Sequence, residues 1–166
     1  MHKESFIIAI AGAAWTIMFW AGVNRPESEP VGPDTIQGFS FAPYQADDNP
    51  LEEIYPTVEE MDADLALLAK WTHSVRTYTV EGSLGEIPGL AKAHRINVAL
   101  GGWVDGNPEK TQRELKRMLA IARRSPNVIR LMVGNEAILR NEVTVEQMIA
   151  YLDDINRKTD IPISTA

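Results

Sequence analysis

The strongest constraint on this chain is a strict alternation of two hydrophobic periods from residue 37 onward. Residues 37–44 (QGFSFAPY) carry a strand pattern, and residues 58–71 (VEEMDADLALLAKW) repeat apolar side chains at helical spacing. Thr57 stands as the N-cap of that helix, with Glu60 placed to close a capping box. The pattern then returns to a strand at 74–80 (SVRTYTV), a short helix at 87–95, a strand at 96–104 (INVALGGWV) and a long helix at 108–125. Pro108 suits the first turn of the long helix, and Leu115, Met118, Leu119 and Ala122 form its stripe. The run VIRLMV at 128–133 is apolar enough for a strand covered on both faces, as in parallel sheets flanked by helices. A helix at 144–159 follows, capped by Thr144, with Val145, Met148, Ile149, Leu152 and Ile155 at helical spacing; IPIST at 161–165 starts a fifth strand.

The order βαβαβαβαβ specifies an α/β fold with a parallel sheet. Pattern alone leaves two architectures open. One is a doubly wound five-strand domain. The other is a (β/α)8 TIM barrel truncated to its first four β/α units and fifth strand, since a whole barrel takes about 250 residues.

Ahead of this domain, residues 6–23 (FIIAIAGAAWTIMFWAGV) contain no charge, and about 20 such residues cross a bilayer as a helix. Residues 1–24 are expected to be a transmembrane signal-anchor, or else a cleaved signal peptide; both place the domain outside the cytoplasm, at the cell membrane or secreted. Residues 25–36 carry prolines, a glycine and charges, the composition of a stiff solvated linker, and 37–166 form the folded domain. The formal charge of −7 and the lack of a clustered basic stripe argue against nucleic acid as a partner. With no cysteine, disulfides, thiolate zinc sites and a thiol nucleophile are excluded. No HExxH, GxSxG or nucleotide-loop motif occurs, so neither a metal nor an organic cofactor is implied.

In parallel α/β folds, sites form at the carboxyl ends of the strands. Those ends carry Tyr44, then Tyr78 and Glu81, then Trp103 and Asp105, then Gly134-Asn135-Glu136. Aromatic rings stack on the apolar faces of sugars, and acids and amides bond their hydroxyls, so the mixture suits a saccharide cleft. Glu136 follows a buried strand and is expected to be partly desolvated, which raises a carboxyl pKa toward that of a general acid. By position alone it reads equally as a turn cap or a partner of Arg140, and Asn135 as a turn residue. Tyr44, Tyr78 and Trp103 read equally as core aromatics. His73 and His94 lie near helix ends, where a dipole role outweighs a catalytic one.

Taken as an ordered set, GFSFAPY at the first strand, VRTY (75–78) at the second, VGNE (133–136) at the fourth and ISTA at the fifth resemble glycoside hydrolase family 17. That family comprises β-1,3-glucanases and related transglycosylases. The resemblance covers residues 37–166 and implies the barrel rather than the doubly wound sheet. It also implies retaining hydrolysis of β-glucan, with Glu136 as the acid/base and Asn135 on the sugar 2-hydroxyl. Tyr78 is implied beside the nucleophile, and Tyr44 and Trp103 belong to the binding rim. The family's nucleophile is a Glu at the end of the seventh strand, to which no residue here corresponds; Glu81, Glu86 and Asp105 do not match it. The chain by itself is therefore expected to be inactive. Transglycosylation beside a membrane synthase, or glucan binding without turnover, remain the alternatives.

Overall fold

The structure is a computed structural model that describes residues 3–25, 32 and 35–166. The chain divides into two compact units, Met1–Pro33 and Asp34–Ala166. The expected linker lies mostly outside the described residues.

In the first unit, helix α1 spans Lys3–Val23 and is apolar on all sides, long enough and apolar enough to cross a membrane. At about 1.5 Å per residue its 21 residues reach the roughly 30 Å of a hydrocarbon core. Its hydroxyl at Thr16 donates back to the Gly12 carbonyl at 2.9 Å, so this hydroxyl is satisfied within the helix.

The second unit is a five-stranded parallel sheet with a helix between successive strands from β1 to β5. Its elements are β1 (Phe39–Ser40), α2 (Val58–Leu68), β2 (Ser74–Arg76), α3 (Ile87–Ala93), β3 (Asn97–Gly102), α4 (Pro108–Arg124), β4 (Val128–Val133), α5 (Val145–Asn156) and β5 (Ile163–Ser164). The strands lie side by side in chain order, β1-β2-β3-β4-β5, each pair parallel. A doubly wound sheet reverses direction at a switch point, whereas a barrel advances one strand at a time. The sequential order is that of a barrel wall, and no reversal occurs among the described strands.

Local chemistry explains the boundaries. Thr57 and Thr144 each close a capping box, with Glu60 and Gln147 returning the bond to the cap amide. Asn107 accepts from the amides of Glu109 and Lys110 just before Pro108 starts α4. A 3-10 turn over Gly82–Glu86 feeds directly into α3.

One face of the sheet, bearing Val75, Val98, Leu100, Leu131 and Val133, packs on Met61, Leu65, Ile87, Met118, Ile121 and Met148 from the helices. The expectation that the fourth strand is covered on both faces does not hold. A register shift beside Val98 skips Ile129, which is 49% exposed, and Arg130 is exposed on the face away from the helices. That second face corresponds to a barrel interior, and it is polar where β4 presents Arg130. Strands one, two and five are also shorter than their β-prone sequences, and Val145 and Ile149 are half exposed on α5 rather than part of its buried stripe.

Candidate active site

Each sequence-predicted residue sits at the carboxyl end of the sheet, and two arginines tie most of them together. Arg76, the last residue of β2, donates from Nη2 to Asn135 Oδ1 at 2.8 Å, and its guanidinium lies 5.0 Å from the centre of the Tyr78 ring. The VRTY and VGNE segments, about 60 residues apart in the chain, thus meet through one hydrogen bond. Because an arginine only donates, the Asn135 oxygen must face Arg76, which turns its NH2 group outward as a donor.

Arg140 performs the second closure. Its guanidinium stacks 4.4 Å from the Trp103 ring and donates to the Asn135 carbonyl and to the Val104 carbonyl at 3.2 Å. It also pairs with Glu142 at 3.3 Å. The expected alternative of an Arg140–Glu136 side-chain pair does not form; only the Arg140 amide bonds the Glu136 carbonyl.

Glu136 itself departs from expectation. Its side chain is exposed rather than partly desolvated, and among the described residues no hydrogen bond or salt bridge engages its carboxylate. No described element lies over the end of β4 to bury it. The backbone is nonetheless fixed. Gly134 and Glu136 both have positive φ, at 75° and 54°, so the chain turns sharply out of β4. The Glu136 amide then donates to the Ala166 carbonyl at 2.7 Å, next to the end of β5.

Tyr78 owes its position to Gly101. A Cβ at Gly101 would stand 2.2 Å from the Thr77 carbonyl and 2.6 Å from Tyr78 Cα, so the chain leaving β2 crosses directly over β3 there. Tyr44 lies across a narrow apolar crevice from Tyr78, with Phe41, Pro43, Leu84 and Ile87 around them. Burial raises the Tyr44 phenol above its ordinary pKa, and the carboxylates of Glu81, Asp48 and Glu114 add to the effect. Glu81 accepts from the Tyr55 hydroxyl at 3.4 Å, and Lys110 lies 3.7 Å from both Glu81 and Asp105. His94 caps α3 and contacts Asp62 at 2.7 Å, away from this end of the sheet.

Sequence reasoning missed Glu114. This buried carboxylate on α4 accepts, at one oxygen, from the Thr79 hydroxyl at 2.6 Å, the Val80 amide at 2.7 Å and the Trp103 amide at 3.2 Å. It fastens the ends of β2 and β3 to a helix and so sets where Trp103 begins. The signal was available: Glu114 falls between Thr111 and Met118 on the apolar stripe of α4, where a charge has no reason to be unless something donates to it. Among the described residues no group of three or more His, Asp or Glu is close enough to hold a metal. A cavity of about 650 Å³ lies between α4 and α5 on the helical exterior, and none of the strand-end residues lines it.

A family model for the BtgE/BtgC glycoside hydrolase domain matches residues 38–165, more than half of the chain. The chain belongs to that family. The match begins at Gly38, immediately before β1, and ends at Thr165, just past β5, so the sheet and the site just described are the BtgE/BtgC domain. No curated protein matches the chain. A crystal structure of an endo-laminarinase from Formosa Hel1_33_131 is similar, with a TM-score of 0.62 and 20% identity over 78% of this chain. At that identity the likeness shows the fold, an α/β sheet corresponding to part of a glycosidase barrel. The chain spans 41% of the laminarinase's length.

Proposed function

We propose that the BtgE/BtgC domain acts on β-1,3-glucan as the acid/base side of a retaining glycosidase of the family-17 kind. Glu136 is the acid/base, and the nucleophile is a carboxylate outside these residues. One observation carries the reading: the 2.8 Å bond from Arg76 to Asn135 brings the second-strand and fourth-strand segments together beside Glu136. Membership of a glycoside hydrolase family and the laminarinase-like fold support it.

In this reading Glu136 first protonates the glycosidic oxygen that leaves, while the nucleophile attacks the anomeric carbon from about 5–5.5 Å across the cleft. Glu136, now a carboxylate, then takes a proton from water, which hydrolyses the glycosyl-enzyme. A sugar hydroxyl in place of water gives transglycosylation and hence branching or cyclisation. The outward NH2 of Asn135 donates to the 2-hydroxyl of the reacting sugar, Tyr78 lies beside the nucleophile, and Tyr44 and Trp103 stack on neighbouring rings. Exposure of Glu136 fits a cleft whose facing wall is not among the five described strands. Helix α1 serves as a membrane anchor, with the domain on the extracytoplasmic side.

The test is product analysis by the complete product of the gene acting on laminari-oligosaccharides. Retention at the anomeric carbon is expected, and inversion would sink the mechanism. Oligomers longer than the substrate would identify transfer rather than hydrolysis, and binding without any cleavage would leave only a glucan-binding role.

A further inference from the structure

The domain is electrically polarised along its strands. No carboxylate occurs in residues 65–80, 87–104 or 115–135, which together form the descending ends of α2, α3 and α4 and the whole of β2, β3 and β4. The carboxylates flanking these stretches gather in the loops after the strands, at Glu81, Asp105, Glu136 and Glu142 among others. In a parallel β/α fold, helix C-termini and strand N-termini share one end. That end carries the exposed cations Lys70, Lys92, Arg95, Arg123 and Arg124; around the end of α5 it also holds Asp153, Asp154 and Asp160, with Arg157 and Lys158 paired to Asp154, so the basic excess lies under α2, α3 and α4. Helix dipoles account for cations beside helix C-termini, but not for the apolar group exposed at the same end. Trp71 is 58% exposed, Leu67 56% and Ile36 39%, and Ile36 and Trp71 are joined by a 3.0 Å backbone bond.

We infer that this amino-terminal end of the barrel wall docks on an anionic bilayer surface, with Trp71 and Leu67 at the headgroup level. The carboxyl-end cleft, with its acidic rim, then opens away from the membrane. Three features point to lipid rather than to a protein groove. The cations share this end with an exposed Trp, as at membrane interfaces. The opposite end has the opposite sign and would be repelled from the same surface. The chain enters the sheet at this end through Ile36, only thirteen residues after Val23, a reach of at most about 45 Å. The inference rests on α1 as a membrane span but not on the glycosidase reading.

The chain has no cysteine, so single labels can be placed without background. Full-length Leu67→Cys and, as a control at the opposite end, Ala46→Cys would each carry a nitroxide. Both would be incorporated in nanodiscs of phosphatidylcholine alone or mixed with phosphatidylglycerol. In the anionic discs the oxygen-to-nickel accessibility ratio at residue 67 should exceed that at residue 46 by about threefold or more, the signature of a basic surface held at lipid. The difference should shrink in zwitterionic discs, and also at about 1 M salt, where screening shortens to about 3 Å. Lys92→Glu with Arg95→Glu should shrink it as well, with circular dichroism checking the fold. Incorporated chains with equal ratios at both labels would overturn docking alone. Equal contact in both lipids would overturn the anionic partner. Failure to enter the discs would overturn the span and this inference together, leaving the glycosidase reading intact.

Discussion

Replacing Glu114 tests whether one buried carboxylate holds the rim of the cleft in place. Its single acceptor oxygen serves the Val80 amide, the Trp103 amide and the Thr79 hydroxyl. In Glu114→Ala the Val80 amide is stranded inside the core, and a buried unpaired donor costs about 1–3 kcal/mol. The half-buried Trp103 amide regains water in part, and the Thr79 hydroxyl rotates to another acceptor, so each adds less. The sum is about 2–4 kcal/mol, or roughly 30-fold to 1,000-fold in the folding equilibrium. In Glu114→Gln an acceptor oxygen remains and only the charge assistance is lost, a cost of about 1 kcal/mol. Urea unfolding of the detergent-solubilised full chain, followed by near-ultraviolet dichroism, reads both. With a slope of about 2 kcal/mol per molar, the alanine midpoint should fall by about 1–2 M and the glutamine midpoint by about 0.5 M. Equal losses in the two variants would refute the acceptor argument, because they would mean that the charge matters and the geometry does not. An alanine variant as stable as the parent would refute it altogether.

Three further outcomes follow from the same contacts. Gly101→Ala puts a methyl group within 2.2 Å of the Thr77 carbonyl, so β2 and β3 must separate; a loss of about 3 kcal/mol or more in thermal or urea unfolding is expected. Arg76→Met releases the Asn135 amide and should lower kcat/KM of the complete gene product about tenfold, through kcat more than KM if Asn135 bonds the transition state. The third concerns pH. Because the Tyr44 pKa is raised in the folded state, first by burial and then by neighbouring carboxylates, its stabilising contribution is whole below about pH 10. It is lost as pH rises through the folded value. Tyr44→Phe should therefore soften the alkaline decline of stability, and the late part of the tyrosinate absorbance rise, to which the raised Tyr44 and Tyr55 phenols both contribute, should shrink in the variant.

Much of the scaffold was legible because its signals are local. The run at Val128–Val133, the capping boxes at Thr57 and Thr144, and Pro108 at a helix start each depend on a few adjacent residues, and each is where the sequence puts it. The second strand shows where local reading fails. TYTV at 77–80 has strong β propensity, yet Thr79 and Val80 leave the ladder because Glu114, 34 residues on, takes their donors. The site was legible as a set of strand ends, whereas the two arginines that join them were not. Arg76 sits in a short β-prone run and Arg140 in a turn, and their roles appear only once β2, β3 and β4 lie side by side. Burial of Glu136 could not be read from VIRLMV, because burial of a strand-end side chain depends on what stands over it rather than on the strand below.

The central claim is that Glu136 transfers the proton in glycoside cleavage, and the direct measurement is azide rescue of Glu136→Ala in the complete gene product. The account predicts a loss of about 10²–10⁴ in kcat on β-1,3-glucan, the range for a general acid–base. An aryl β-glucoside, whose leaving group needs no proton, should still glycosylate the enzyme, and added azide should release a glycosyl azide of retained configuration. A variant that keeps its activity on glucan, or one whose azide product is inverted, would contradict the account.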